Sequence, residues 1–395
     1  MMSNNYNYTR VCCYIGYFVQ AIINNFLPLL FVTFNSKFGL SFEKLGILIV
    51  INFCTQIAVD VISVKIIDIV GYKNTAILAH VFAAAGLALL SFLPNVMSNT
   101  YLAIIISILC YAFGSGLIEV IISPIIEYLP SDAKAANMSF LHSFYCWGQL
   151  ATVLITTLMF VLMGIDRWNI ISLIWAVVPF VNFFLFMRAP VVVPENVSPE
   201  KRDKNLFKNG RFYLLLLVML CAGSSELAVS QWVSAFAEVS LGLSKSVGDL
   251  LGPCAFALFM GVGRIIYGIW GEKLNIKKTM LVCTVLCFVC YIIIALSGNP
   301  VLSLIFCAIC GFSVSVMWPG TLSIASASFA SGGALMFGFL AAFGDLGCSV
   351  GPWVAGKVAD NYGLQNGFLL AGVFPLIMIF VVIYLIKKDT IAKTR

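Results

Sequence analysis

Charge is what this chain has least of. Asp, Glu, Lys and Arg make up 10% of its 395 residues, whereas a soluble domain carries about 25%. Only 17 residues are acidic and two are histidine, against 32 phenylalanines. The sequence contains no phosphate-binding glycine loop, no GxSxG elbow and no HExxH pair. An enzyme would therefore have no nucleophile–base pair to work with, and no cofactor is expected. The net charge of +6 comes from few, scattered basic residues near apolar segments, which suits membrane orientation and excludes nucleic acid as a partner. With 61% hydrophobic residues and a mean hydropathy of +1.01, the main solvent of the chain is lipid.

Thirteen cysteines are present. Cys287-x2-Cys290 and Cys307-x2-Cys310 have zinc-ribbon spacing, but both pairs lie in apolar runs, where four thiolates around Zn²⁺ would put net negative charge into hydrocarbon. They read as small apolar residues, and no metal is expected. No cysteine falls in an expected outer loop, so there is no disulfide framework. The run from Val11 is long enough to span and shows no cleavage site, so it is read as the first membrane helix rather than a signal peptide.

A helix needs about 20 residues to cross the hydrocarbon core. Twelve segments qualify: 11–34, 43–67, 74–93, 101–127, 137–163, 169–188, 211–238, 246–271, 278–297, 300–325, 333–359 and 366–386. The expected fold is an all-α membrane protein of two six-helix bundles, residues 1–188 and 209–395, joined by the polar, proline-containing linker 189–208. With both ends of the chain inside, Lys37, Lys44, Arg167, Lys245 and Lys357 are the only basic residues left outside, out of 23 Lys and Arg. The positive-inside rule then gives a multi-pass protein of the cell membrane with cytoplasmic termini.

The halves echo each other. Gly116-x7-Pro124 returns as Gly311-x7-Pro319. Phe140-Leu141-x2-Phe144-x3-Gly148 returns as Phe339-Leu340-x2-Phe343-x3-Gly347, and Asp68 with Lys73 returns as Glu272 with Lys277. All three offsets lie near 200 residues, in register with the helix count. Such a 6+6 repeat belongs to alternating-access transporters with a site near the midplane.

Polar residues inside the segments fall at helical spacing. Gln20 and Asn24 stand at i, i+4 with Asn25 beside them. Asn52, Gln56 and Asp60 follow in the second segment, Ser115, Glu119 and Ser123 in the fourth, and His142, Tyr145, Gln149 and Thr152 in the fifth. Glu226, Ser230 and Ser234 occupy the seventh beside Gln231 and Trp232, and Asp345 and Ser349 the eleventh. Residues four apart share a face, so each stripe points either into a shared aqueous cavity or to a neighbouring helix that it hydrogen-bonds. Glu119 is the only charge between Leu102 and Ile126. An acid at that depth costs at least a few kcal/mol and marks a functional position. Exchanging a proton with water on either side in turn is the physical requirement for proton coupling, and Glu119, Glu226 and Asp345 are the acids expected to do it. Asp60 is read as pairing with Lys65, and His80 as structural. Arg264 either neutralises Glu226 or joins a charge cluster with Glu272. Trp147, Trp232 and Trp318 offer flat faces for a sugar ring or ordinary packing surfaces.

Over its full length the sequence resembles the major facilitator superfamily. Asp68-x2-Gly71-Tyr72-Lys73 is similar to a degraded form of that superfamily's G-x-x-x-D-x-x-G-R-R loop, with Val64 in place of the leading Gly, and Gly268-x2-Gly271-Glu272-Lys273 is closer to it. The resemblance implies cytoplasmic charge latches at Asp68, Lys73, Glu272 and Lys273. Within the superfamily the chain resembles the fucose permease-like sugar:proton symporters. Gly114-Ser115-Gly116-Leu117-Ile118-Glu119-x3-Ser123-Pro124 matches their G-x-G-x-x-E-x-x-x-N-P signature except at Ser123. Gly311-Phe312-Ser313-Val314-Ser315-x3-Pro319-x3-Ser323 is similar to their G-x-x-x-S-x-x-x-P-x-x-x-S run. Those permeases carry an Asp in helix 1 after an Asn-Asn pair, where this chain has Asn24-Asn25 and then Pro28.

The resemblance implies sugar uptake, with H⁺ as coupling ion and Na⁺ as the alternative, by a monomer in the bilayer. Gln20, Asn24, Asn25, Asn52, Gln56, His142, Gln149, Gln231, Trp232 and Trp318 are the expected solute-binding residues, and Glu226 the expected companion of Glu119. The alternatives are a drug or metabolite exporter of the same fold and a non-transporting nutrient sensor.

Overall fold

The computed structural model of the chain describes residues 6–130, 134–191, 206–270, 274–329 and 333–393. In hydrocarbon no water can satisfy backbone N–H and C=O groups, so long apolar runs close their hydrogen bonds within a helix. Twelve such helices form. They are α1 (Tyr6–Phe38), α2 (Phe42–Val70), α3 (Tyr72–Val96), α4 (Thr100–Tyr128), α5 (Lys134–Met163) and α6 (Trp168–Arg188), then α7 (Gly210–Val239), α8 (Lys245–Trp270), α9 (Ile276–Leu296), α10 (Pro300–Ser328), α11 (Gly333–Tyr362) and α12 (Leu364–Lys393). Their order matches the twelve predicted segments. Among the described residues, every one except α11 contains a window long and apolar enough to cross a membrane, and α11 is an unbroken helix of 30 residues.

Several helices are interrupted where the sequence reading drew them straight, and each interruption has a proline. Pro28 sits in the 3₁₀ turn Leu27–Leu30 that breaks α1. Pro253 lies in the π-helical turn Leu250–Cys254 of α8. Pro319 follows the break at Ser315–Val316 in α10, and Pro375 the one at Gly372 in α12. Proline has no N–H and its ring crowds the carbonyl four residues back, so the ladder opens one turn before it.

The connections are tight. Gly71 alone separates α2 from α3, with φ of 80°, a value that disfavours any residue with a Cβ. Asn99, Asn209, Asn275 and Asn299 cap α4, α7, α9 and α10 with their side-chain oxygens, each accepting an otherwise unpaired amide of the first turn.

The helices fall into two compact units. One holds α1, the greater part of α2, and α3 to α6; the other holds α7 to α12 together with Ser41–Val50, the start of α2. Inside each unit the same pairs touch: α1 on α5 as α7 on α11, α3 on α4 as α9 on α10, and α3 on α6 as α9 on α12. The repeated glycines sit at close helix contacts. A Cβ on Gly148 of α5 would lie 2.8 Å from Ala21 on α1, and one on Gly347 of α11 would lie 2.0 Å from the Leu220 carbonyl on α7. Gly116 of α4 meets Val59 and Gln56 of α2 in the same way that Gly311 of α10 meets Phe256 of α8. The sequence repeat is therefore a repeat of helix-packing points.

Burial ranks the helices. The apolar windows of α1 and α7 are 83% and 72% buried and those of α4 and α10 61%, against 39–44% for the other helices so measured. The less buried helices turn rows such as Leu173, Val177, Phe180 and Phe184 of α6 outward, the surface lipid requires. Interior polar positions thus concentrate on α1, α4, α7 and α10 and on the faces packed against them.

The start of α2 is capped from α11. The Phe42 and Glu43 amides donate to the two carboxylate oxygens of Asp360 at 2.6 and 2.8 Å. Lys357 stands 3.7 Å from Glu43, and Phe42 packs edge-on against Trp232. A carboxylate here accepts two orphan amides and opposes the helix dipole. Asp360→Ala is expected to cost about 1 kcal/mol and to lower the melting temperature of purified protein, with Asp360→Asn falling between. Identical melting of all three proteins would mean that the cap carries no stability.

Candidate functional site

In the first unit the predicted polar stripes of α1, α2 and α4 meet. Asn24 on α1 is the hub: its Oδ1 accepts from Asn52 Nδ2 at 3.0 Å and from Gln56 Nε2 at 3.1 Å, both on α2. Its Nδ2 reaches the Tyr145 hydroxyl of α5 at 3.4 Å. Ser115 on α4 donates to Gln56 Oε1 at 3.0 Å. One turn further, Gln20 Nε2 donates to Glu119 Oε2 at 2.8 Å. Another turn along, the Tyr17 and Ser123 hydroxyls lie 3.0 Å apart. Gln20, Asn24, Asn52, Gln56 and Ser115 are all buried. The i, i+4 spacing read in the sequence is what brings four helices into one network.

This network is short of donors. Gln20 Oε1, Asn52 Oδ1 and Asp60 Oδ1 are buried and have no hydrogen-bond partner among the described residues. Each such acceptor costs about 1–3 kcal/mol if it stays unsatisfied. Asp60 does not take the partner expected for it. Lys65 is exposed, and no Asp60–Lys65 ion pair forms among the described residues.

The other residues expected here are placed variously. Asn25 donates to Ala21 O of its own helix at 2.9 Å and so stays outside the network. Gln149 is buried on α5. The side chains of His142 and Asp68, and residues Glu272 and Lys273, lie outside the described residues, while Lys73 stands in the first turn of α3. His80 has the structural surroundings read for it. Its Nδ1 bonds Ala76 O at 2.7 Å and its Nε2 faces Asn182 Nδ2 at 2.7 Å, while that amide also donates to Cys12 O. The neutral tautomer with the proton on Nδ1 satisfies both contacts.

In the second unit Glu226 of α7 faces Arg264 of α8 at 3.7 Å. This is one of the two roles open for Arg264; the other falls on Glu272, which lies outside the described residues. Asp345 on α11 is 6% exposed, and Ser349 donates to its carbonyl at 3.1 Å. Trp318 on α10 lies against Gly344, beside Asp345; a Cβ at Gly344 would come within 2.2 Å of the indole. Trp232 is fully buried, and its Nε1 donates to Pro352 O at 2.8 Å, so its ring offers no face to a solute. Gln231 is also buried, whereas Trp147 is 42% exposed. Cys287 and Cys310 touch across α9 and α10 with sulfurs 3.9 Å apart, as packed thiols do.

Sequence reasoning missed two things here. The Tyr17 hydroxyl was not singled out, although it stands three residues before Gln20 on the same face. The Asp360 cap has no local signal, because its partners are more than 300 residues away.

Twelve membrane-spanning helices in two similar units, each with buried polar and ionisable side chains on its most enclosed helices, define a multi-pass membrane transporter. The family model of the Major Facilitator Superfamily matches residues 13–329 and 250–395, and the chain belongs to that superfamily. No curated protein sequence matches the chain. Among solved structures it is similar to a D-xylose–proton symporter, with a TM-score of 0.79 at 14% identity over 96% of both chains. It is also similar to the nucleoside transporter NupG, with a TM-score of 0.77 at 14% identity over 95% of this chain and 99% of that one. A bacterial homolog of the human lysosomal transporter Spinster gives a TM-score of 0.76 at 13% identity over 97% of both chains. At such identities the likeness is one of fold.

Proposed function

We propose that the chain moves a small hydroxyl-rich solute, a hexose or related sugar, across the cell membrane by alternating access, driven by protons. The observation that carries this reading is the set of donor-poor oxygens on Gln20, Asn52 and Asp60. Buried acceptors call for hydroxyl donors, and a sugar presents several on one rigid ring. D-xylose and nucleosides, the solutes in the names of two structural neighbours, share that chemistry. Asn24, Gln56 and Ser115 hold the frame of the network, leaving Asn52 Oδ1 to accept from the solute, while Glu119 carries the proton. Both termini lie in the cytoplasm on the positive-inside rule, and one chain is the transporting unit.

Solute class is tested by the melting temperature of the purified protein. Fucose, galactose, glucose and xylose are added one by one, then a lipophilic cation. A ligand at 100 times its Kd stabilises by about 2.7 kcal/mol, so the recognised sugar is expected to raise the melting temperature by several degrees. Stabilisation by the cation alone would point to an efflux transporter instead.

A further inference from the structure

The coupling acid in the first unit does not stand alone. Consecutive short connections make α2 and α3 antiparallel, and α3 and α4 antiparallel, so α2 and α4 run in the same direction. Two observations fix their register. Ser115 Oγ meets Gln56 Oε1 at 3.0 Å. Gly116, lacking a side chain, lets α4 approach until its Cβ position is 2.9 Å from Val59 Cβ and 3.1 Å from Gln56 Cα. Between parallel helices held at this point, four residues further on each side is one turn further on both, about 6 Å along the axis. The residues reached are Asp60 and Glu119.

A third group joins them. Gln20 on α1 is 4% exposed. Its Nε2 is committed to Glu119 Oε2, and its Oε1 has no donor among the described residues. An amide in this position serves both states of a neighbouring acid: the N–H holds the ionised carboxylate, and the free oxygen accepts from a carboxylic O–H. Among the described residues the other titratable group facing Glu119 is Tyr17 on α1, whose hydroxyl is paired with Ser123. Tyr145 on α5 reaches Asn24, a turn away. Among the described residues neither carboxyl has an ion pair with a Lys or Arg.

We infer that Asp60 and Glu119 act as one protonation unit. Two carboxyls sharing a poorly solvated site do not both ionise. The unit therefore holds one proton at rest and carries one negative charge. Loading adds a second proton from water and makes it neutral; release returns that proton to water. Gln20 Oε1 receives the O–H of the loaded state. This rests on the proton-coupled reading above, and it moves the partner of Glu119 from Glu226, which has Arg264, to Asp60.

The test is a titration of the full-length protein in detergent with no solute present, read by the infrared C=O stretch of protonated carboxyl groups. Wild type is expected to show two linked steps from this pair. Asp60→Asn should leave one, and the midpoint of the Glu119 step should move by about one pH unit or more, the size of interaction that defines a coupled pair. Glu119→Gln reads the same coupling from the other side, by moving the Asp60 step. If either variant leaves the remaining acid's midpoint where it was, the two carboxyls titrate independently and the inference fails. A coupled titration in a protein that accumulates no sugar would overturn the solute assignment and leave the pair standing.

Discussion

Glu119→Gln is expected to abolish solute accumulation driven by a pH gradient while leaving the protein folded. Glutamine has the shape of glutamate and its side-chain oxygen still accepts from Gln20 Nε2, which lies 2.8 Å from Glu119 Oε2 in the wild type. What it lacks is a group that takes up and releases a proton. For one proton per solute, each pH unit of gradient is worth about 1.4 kcal/mol, a tenfold accumulation. In the variant that ratio should fall to one, with counterflow of unlabelled against labelled solute retained, because exchange needs binding and reorientation but no net proton movement. The measurement is uptake into proteoliposomes with an inside-alkaline gradient. Full concentrative uptake by Glu119→Gln would remove the residue from coupling.

The second large effect is structural. Gly347→Ala is expected to prevent correct packing of α7 against α11. The added Cβ would sit 2.0 Å from the Leu220 carbonyl oxygen and 3.0 Å from the Ser224 amide, and Ser224 Oγ bonds Gly347 O at 3.0 Å in the same contact. Gly351 and Gly223 also come too near backbone to admit a Cβ, at Ser224 and at Gly344 O. These are backbone atoms of two helices, so no side chain can swing aside. Overpacking a core usually costs about 1–3 kcal/mol and occasionally more; with backbone on both sides the cost belongs at or above the upper end. Monodisperse protein should be recovered poorly, with a melting temperature lowered by many degrees. Gly261→Ala is the control: a Cβ there meets nothing within 4 Å, and alanine favours the helix by up to about 1 kcal/mol. If Gly347→Ala melts like Gly261→Ala, the close approach is not what holds the unit together.

Much of this fold was legible because lipid simplifies the code. A run that must span hydrocarbon can only be a helix, and so the twelve segments and their order followed from length and apolarity alone. The repeated glycines were legible as a repeat, but their meaning as matched packing points needed the neighbouring helix. The breaks at Leu27–Leu30 and in α8, α10 and α12 were less so, because Pro124 and Pro352 sit in helices that continue unbroken. Proline alone does not say which.

Within the site, helical spacing put Gln20, Asn24, Asn52, Gln56, Ser115 and Glu119 on faces that the structure brings together. The spacing could not say which helix each face meets. Asp60 lay on the right stripe, yet its nearest cation in sequence, Lys65, suggested a local pair. The Gln56–Ser115 contact sets Asp60 one turn along α2 from that point, as Glu119 is one turn along α4. Trp232 looked like a sugar platform because aromatic residues near polar stripes often are; its burial against Pro352 and Phe42 depends on residues far away in the chain.

Proton-driven movement of a hydroxyl-rich solute is tested most directly by transport itself. Purified protein in proteoliposomes is offered labelled fucose, galactose, glucose and xylose under an inside-alkaline pH gradient, a sodium gradient, or neither. At least one sugar is expected to accumulate above its external concentration under the pH gradient alone and to equilibrate without it. Failure of every sugar to accumulate, or accumulation that follows sodium and ignores pH, would contradict it.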